Sequence, residues 1–412
     1  MKSSLPLTAA KPMETPWADP ALWPLDSEIT FLNHGSFGSC PRPVLQEQTS
    51  WRDRLERQPV QFLVRELEPL LDNARRALAA MVGANADNLV LVANATSGVN
   101  TVLRSLAFQA GDELLVTNHE YNACRNALDY IAARNGATIV VARVPFPVSS
   151  ADEIHQSILE RVTPRTRLAL LDHVTSQTGL VFPIEALVKA LRERGVDTLV
   201  DGAHAPGMVP LNLERIAPAY YTGNCHKWLC APKGAAFLYV SPHRQETIRP
   251  LTISHGANSR RDDRSRFLVE FGWVGTTDPS AFLAIPAALD FMSGLLEGQW
   301  PQIMAVNRSL ALTGRRILCD ALEIEAPAPE DLLGSLASIF VPGPSESSSP
   351  LYADPLQEKL LRHYSIEVPI IPWPADEEGC PPRRLLRISA QLYNCGAQYE
   401  QLAGALRECF AL

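Results

Sequence analysis

The sequence predicts an α/β protein with a mainly parallel sheet covered by helices, plus a smaller α+β domain. Between Leu89 and Val240, short apolar runs alternate with segments of helical period, the pattern of βαβ units and a sheet buried on both faces. Beyond Gly343 the order becomes helix, strand, strand, helix, which reads as a separate α+β unit. The 412 residues, 46% hydrophobic and 20% charged, suffice for a large core without disulfides or metals.

The first thirty residues carry Pro6, Pro12, Pro16, Pro20 and Pro24 with Trp17 and Trp23, an extended arm with aromatic anchors. Glycines in Phe31–Gly38 (FLNHGSFG) permit positive φ and close backbone approach. Val44–Val82 has helical period, interrupted near Pro59 and Pro69. Strands are expected at Leu89–Val92, Glu113–Thr117, Thr138–Val141, Leu168–Leu171 and Thr198–Val200. Helices at Gly98–Phe108, Asn122–Arg134, Asp152–Val162 and Ile184–Arg194 separate them. Tyr220–Thr222 and Ala235–Val240 read as further strands, and Pro279–Leu296 and Gln302–Leu322 as long helices. Gly343–Pro350 is a loop, followed by a helix at Pro355–His363, strands at Glu367–Ile371 and Leu385–Ser389, and a helix at Gln398–Cys409.

Composition excludes several function classes. There are 37 Lys+Arg against 45 Asp+Glu, a net charge of −8, which argues against a nucleic-acid partner. No apolar run reaches membrane-spanning length, and the first residues lack a signal-peptide core. The 8 cysteines form no CxxC pair, so a reducing, cytoplasmic setting is expected. Neither GxSxG, HExxH nor GxGxxG occurs, and His204 and His226 lack zinc spacing.

In open α/β sheets ligands bind beyond the carboxyl ends of the strands. Leu89–Val92 runs into Asn94-Ala95-Thr96-Ser97-Gly98, a helix start that is either a phosphate cup or an ordinary N-cap. Glu113–Thr117 runs into Asn118-His119-Glu120-Tyr121, where an aromatic covers a ring ligand or simply packs. Leu168–Leu171 leads to the polar run Asp172–Gly179. Asp201 ends an apolar strand, where a carboxylate is costly without a cationic partner. Lys227 lies in Cys225-His226-Lys227-Trp228-Leu229; burial would lower its pKa and make the amine nucleophilic. Its competitor is Lys233, and its bland alternative a snorkelling loop lysine. A phosphate cup, an aromatic lid, an acid and a lysine together suit pyridoxal phosphate, which needs a Schiff-base lysine and an acid at its ring nitrogen.

FLNHGSFG at 31–38, HEYNAC at 119–124, HVTSQTGLVFPI at 173–184, VDGAHAPG at 200–207, GNCHKWLCAPKG at 223–234 and RISAQLYN at 387–394 resemble the class V aminotransferase family of fold-type I pyridoxal-phosphate enzymes. The likeness is nearer to its isopenicillin N epimerase-like branch. It implies a large cofactor domain over residues 46–295, with a seven-stranded type of sheet, and a small domain formed by residues 1–45 and 296–412. It implies that Lys227 forms the Schiff base, Asp201 pairs with the pyridinium, and His204 lies near the phenolic oxygen. Thr96, Ser97, Asn224 and His226 would bind phosphate, Tyr121 would stack on the ring, and Ser176 would approach the cofactor. Arg387 would hold the substrate carboxylate, with Asn33 and His34 nearby and His34 as a second base. Gly275-Thr276-Thr277 resembles a segment that reaches the neighbouring subunit's phosphate, implying a homodimer; its bland reading is a turn.

The implied substrate is an amino acid or small peptide-like amine, and the implied reaction epimerisation at Cα. C–S lysis and transamination are alternatives. A regulator that only binds the cofactor fits poorly with an intact Lys227, Asp201 and Arg387 set. A cysteine desulfurase fits less well, because Val368–Trp373 lacks a cysteine and Cys380 lies in an acidic, proline-rich loop. Of the 33 prolines, many fall in the N-terminal arm and in Ile371–Pro382, both expected near the substrate mouth.

Overall fold

The computed structural model describes residues 14–345, 354–374 and 382–411. Its strands, in chain order, are β1 (Thr30–Phe31), β2 (Leu89–Val92), β3 (Glu113–Thr117), β4 (Thr138–Ala142), β5 (Thr166–Asp172), β6 (Asp197–Asp201), β7 (Tyr220–Asn224), β8 (Ala236–Val240), β9 (Leu336–Pro344), β10 (Ile366–Glu367), β11 (Ile370–Trp373) and β12 (Arg383–Ser389). The central sheet has 7 strands in the order β2-β8-β7-β6-β5-β3-β4. The pairs from β4 to β7 are parallel, and β8 runs antiparallel to both its neighbours. β3, β7 and β8 are buried at every position, which is why Leu114–Val116 and Ala236–Val240 read as unbroken apolar runs rather than alternating ones.

The register places the functional ends side by side. Asp172 of β5 is the partner of Asp201 of β6, which in turn is the partner of Thr222 of β7. A second, antiparallel sheet, β11-β12-β9, carries Arg387 opposite Ser338. The N-terminal arm closes over this sheet. The Trp17 and Ala18 amides donate to Leu392 O, and buried Trp23 meets Tyr393 edge-on at 5.1 Å. β1 pairs with β10, and Leu32 then bonds to both Glu367 and Ser389, tying the chain's beginning to its end.

Several boundaries differ from expectation for physical reasons. Pro59 ends the first helix's regular bonding, since Arg42–Arg57 gives way to a π-helical stretch, Gln61–Glu66. Pro69 follows that stretch: Leu67–Val82 continues its helical path, and without an N–H Pro69 cannot close an α-type bond to Arg65 O. The helix expected over Pro279–Leu296 is two, Ser280–Leu283 and Ile285–Ser293, broken at Ala284 just before Pro286. The strand expected at Glu367–Ile371 is split by Val368-Pro369 between two sheets. β1 and β9 were not anticipated; β1 has only 2 residues, and β9 ends in Pro-Gly-Pro. The Gly343–Pro350 loop, the proline-rich Ile371–Pro382 segment and Cys380 lie wholly or partly outside the described residues.

Candidate active site

Lys227 lies in the turn after β7 and is partly buried. Its Nζ is 2.9 Å from His204 Nε2, and the other ring nitrogen of His204 is 3.4 Å from Trp228 Nε1. An indole N–H only donates, so His204 Nδ1 must offer a lone pair. The neutral ring then carries its proton on Nε2, which donates to Nζ once that amine has lost its own proton. Burial first, and the charge of Arg387 second, lower Lys227 to about 7. Burial and Lys227 itself hold His204 well below the usual histidine range. Lys233 is already engaged: its Nζ donates to Gly38 O at 2.9 Å. Gly38 has φ +69, and a Cβ there would lie 2.1 Å from His226 O and 3.0 Å from Lys227 Cα. Only glycine lets the N-terminal segment press on the lysine turn this closely.

Asp201 ends β6 and is buried. Its Oδ1 accepts the Ala203 amide at 2.9 Å, and its Oδ2 accepts the Cys124 thiol at 3.1 Å. The helix Ala95–Ser105 begins nearby, held by two asparagines. Asn94 Oδ1 accepts from the Ser97 amide and hydroxyl at 2.8 and 3.0 Å. Asn224 Oδ1 accepts the Ala95 amide at 2.8 Å. Among the described residues, the Thr96 hydroxyl and the Asn224 Nδ2 amide make no bond, so both remain free for an anion at the helix start. His226 Nδ1 donates to Ala235 O at 3.2 Å, which leaves Nε2 open; burial and Lys227 lower this ring to about 4.

Arg387 is buried without a carboxylate partner among the described residues. Nη1 donates to Ser176 O and Oγ, and Nη2 to Ser36 Oγ at 2.8 Å; Nε has no partner. Burial lowers the guanidinium to about 10. A cation held this way invites an anion, since a buried charge is costly until it is paired.

A family model, aminotransferase class-V, matches residues 44–345. The chain is 36% identical to isopenicillin N epimerase of Amycolatopsis lactamdurans, over 93% of this chain and 96% of that protein. It is 33% identical to a probable chloroplastic L-cysteine desulfhydrase of Arabidopsis thaliana, over 92% of this chain and 83% of that one.

The chain belongs to the class-V aminotransferase family.

Among solved structures, a mutant of the C–S lyase C-DES, with glycine covalently linked to its pyridoxal-phosphate cofactor, superposes with a TM-score of 0.78 at 23% identity, covering 94% of this chain and 98% of that one. Apo cysteine desulfurase of Thermococcus onnurineus gives 0.77 at 18% identity, over 95% and 97%. These likenesses show the fold, which is that of fold-type I proteins.

The class-V chain brings most of the expected residues together. Tyr121, 41% exposed, begins the helix Asn122–Asn135 and is the open aromatic at the β3 end. His119 next to it is buried, with Nδ1 at Thr178 Oγ1 and Nε2 at Val144 O. Ser176 faces Arg387. Asn33 acts one step back: it accepts the Ser36 hydroxyl and donates to Glu367 at 3.1 Å. His34 does not suit the base role expected of it. It is fully buried, Nδ1 accepts from Tyr393 OH at 2.8 Å, and Nε2 donates to Lys227 O at 3.0 Å. Thr276 is exposed on a turn and joins none of these residues within the chain. Trp228, Ser36 and Cys124 were not foreseen in the site; each lies in a recognised motif, but which neighbour it bonds depends on tertiary structure. The residues fit pyridoxal phosphate: free donors stand at a helix start, Asp201 is ready for a ring nitrogen, and Lys227 is an amine that loses its proton near neutral pH.

Proposed function

We propose that this chain is a pyridoxal-phosphate enzyme that epimerises an amino acid or small peptide-like amine at Cα. The observation that carries the reading is the pair formed by Lys227 and buried His204, facing a buried, carboxylate-free Arg387. Relatives named isopenicillin N epimerase support it. When bound, the cofactor supplies an electron sink for charge developing at Cα. Arg387 binds the substrate carboxylate with its planar fork and so fixes which Cα bond faces Lys227. The Lys227 amine takes the Cα proton, His204 orients that amine through its Nε2–H, and inversion is completed by a proton delivered to the opposite face by a donor other than His34. Asp201 keeps a ring nitrogen protonated, while Thr96, Ser97, Asn224 and His226 hold the phosphate. Tyr121 covers the open ring face.

A second reading, C–S lysis, gains from one observation. With His34 engaged, Lys227 is the base that the described site places at Cα, and β-elimination needs only one. Relatives named L-cysteine desulfhydrase support it too. Incubation with amino acids in heavy water separates the readings. Deuterium at Cα with inversion supports epimerisation, pyruvate and sulfide from cysteine support lysis, and neither outcome with any amino acid refutes both.

The working form is proposed to be a homodimer in which Thr276 serves the neighbouring site. Phe37, Val60, Val64 and Ile253 are exposed apolar side chains suited to burial between subunits. A single-subunit mass by light scattering at micromolar concentration would refute it. Residues 46–295 are proposed as the cofactor-holding unit. No described helix is long and apolar enough to cross a membrane.

A further inference from the structure

The wall behind Asp201 holds more acid than one ring nitrogen requires. Glu120 is 6% exposed, Asp172 2% and Asp201 3%. Asp172 and Asp201 are register partners on adjacent strands. One oxygen each of Glu120 and Asp201 and the Cys124 sulfur lie within 4.8 Å of one another. The three carboxyls differ in what they receive. Asp201 accepts an amide and a thiol. Neither Glu120 oxygen has a donor among the described residues, and Asp172 Oδ2 has none. The groups facing Glu120 are Asp172 from β5, Asp201 from β6, and Cys124 and Arg125 from the following helix. Arg125 is partly exposed and paired with Asp129 at 3.0 Å. Glu120 and Asp172 lie close enough to share a proton, with the Tyr121 amide beside Glu120, and the pair has no uncommitted counter-charge; such a pair holds a proton between its members.

We propose that Glu120 is a positioning residue that shares one proton with Asp172 beside Asp201, so that the two never bear full charge together. Burial and the charge of Asp201 both raise Glu120 well above the usual carboxylate range, and burial and Glu120 raise Asp172 likewise. Crowded carboxyls titrate as a set, and one of a close pair keeps its proton. The consequence for a ring nitrogen rests on the proposed role of Asp201; the proton shared by Glu120 and Asp172 does not.

Infrared difference spectroscopy of the apo-protein tests the proton directly. Wild type at pH 7 should show the carbonyl stretch of a buried protonated carboxylic acid, and Glu120→Gln, which removes one of the two sharing groups, should lose or shift it. A wild-type spectrum without that band overturns the proposal, and does so even if the variant does not fold. Folded Glu120→Gln, neutral and equal in size, should retain pyridoxal phosphate within about twofold of wild type. Its bound-cofactor absorbance should titrate within about 0.3 pH unit of wild type. A tenfold loss of cofactor in a folded Glu120→Gln would show that a charged Glu120 is needed and overturn the proposal. Stoichiometric zinc uptake by the apo-protein, abolishing the band, would make the cluster a metal site and overturn it equally. Unimpaired cofactor binding by Asp201→Asn would refute the reading of Asp201, while the infrared band would still decide Glu120.

Discussion

Two buried polar regions flank Lys227, and they are built on opposite terms. On one side His34, Tyr393 and Asn394 are bonded to completion: His34 uses both ring nitrogens, and Asn394 Nδ2 reaches Phe31 O at 3.0 Å and Gln398 at 2.9 Å. On the other side Arg387 Nε, the Thr96 hydroxyl and the Asn224 amide have no partners among the described residues. Folding alone explains the first region, since buried polar groups are normally satisfied. It does not explain the second, where donors are left without acceptors. A residue type does not reveal a ligand site; an unmet bonding capacity does.

The sharpest way to break the comparison is at the two lysines. Lys227→Ala should reduce Cα deuterium exchange by roughly 10³-fold or more, as expected for loss of a positioned base and nucleophile. Lys233→Ala should keep exchange within tenfold and lose about 1 kcal/mol of stability with the bond to Gly38. Equal losses in both, measured by NMR, would erase the distinction between occupied and open groups.

Arg387→Met should raise KM for an α-amino acid by about 100-fold. It should also stabilise the apo-protein, by about 1–3 kcal/mol in urea melts, because it removes a buried cation without a carboxylate. His34→Ala should do the reverse: destabilise by about 1–3 kcal/mol and leave kcat within tenfold. An Arg387→Met apo-protein less stable than wild type would show that the open side is structural after all.

Acidity separates the regions next. Lys227 is lowered to about 7, so capture of pyridoxal phosphate by the apo-protein should quicken as pH rises through 7, when the amine loses its proton. The folded lysine binds fewer protons than the unfolded one between about pH 7 and 10.4, so apo stability should climb with pH across that window. Lys227→Met should flatten that slope. His34, lowered to about 3 by burial, should add no step to cofactor capture near neutrality. The smallest effect is expected from His204→Gln, whose amide can still donate to Nζ; kcat should stay within about tenfold, and a larger loss would mean that the ring itself moves protons.

The central strands were legible because parallel strands are buried on both faces and so stand out as short apolar runs. The acid after β6 and the lysine after β7 were legible because charged residues rarely follow such runs without a task. The role of His34 was not. Its motif named the right segment, but whether a ring nitrogen is free depends on Tyr393, which lies 359 residues away. Ser36, Trp228 and Cys124 were hidden for the same reason: each bonds to a partner distant in sequence or across a turn.

Gly38 pressed on the Lys227 turn, with Leu32 bonded to Ser389, has a consequence for synthesis. The first-made segment of the pocket must wait for β12, one of the last, before its own place exists. A nascent chain that has already closed the central sheet still lacks Arg387 and the strand that seats residues 32–38. Such distant pairings form slowly. Truncation before β12 should therefore leave a chain able to fold its central sheet but unable to close the pocket around Lys227.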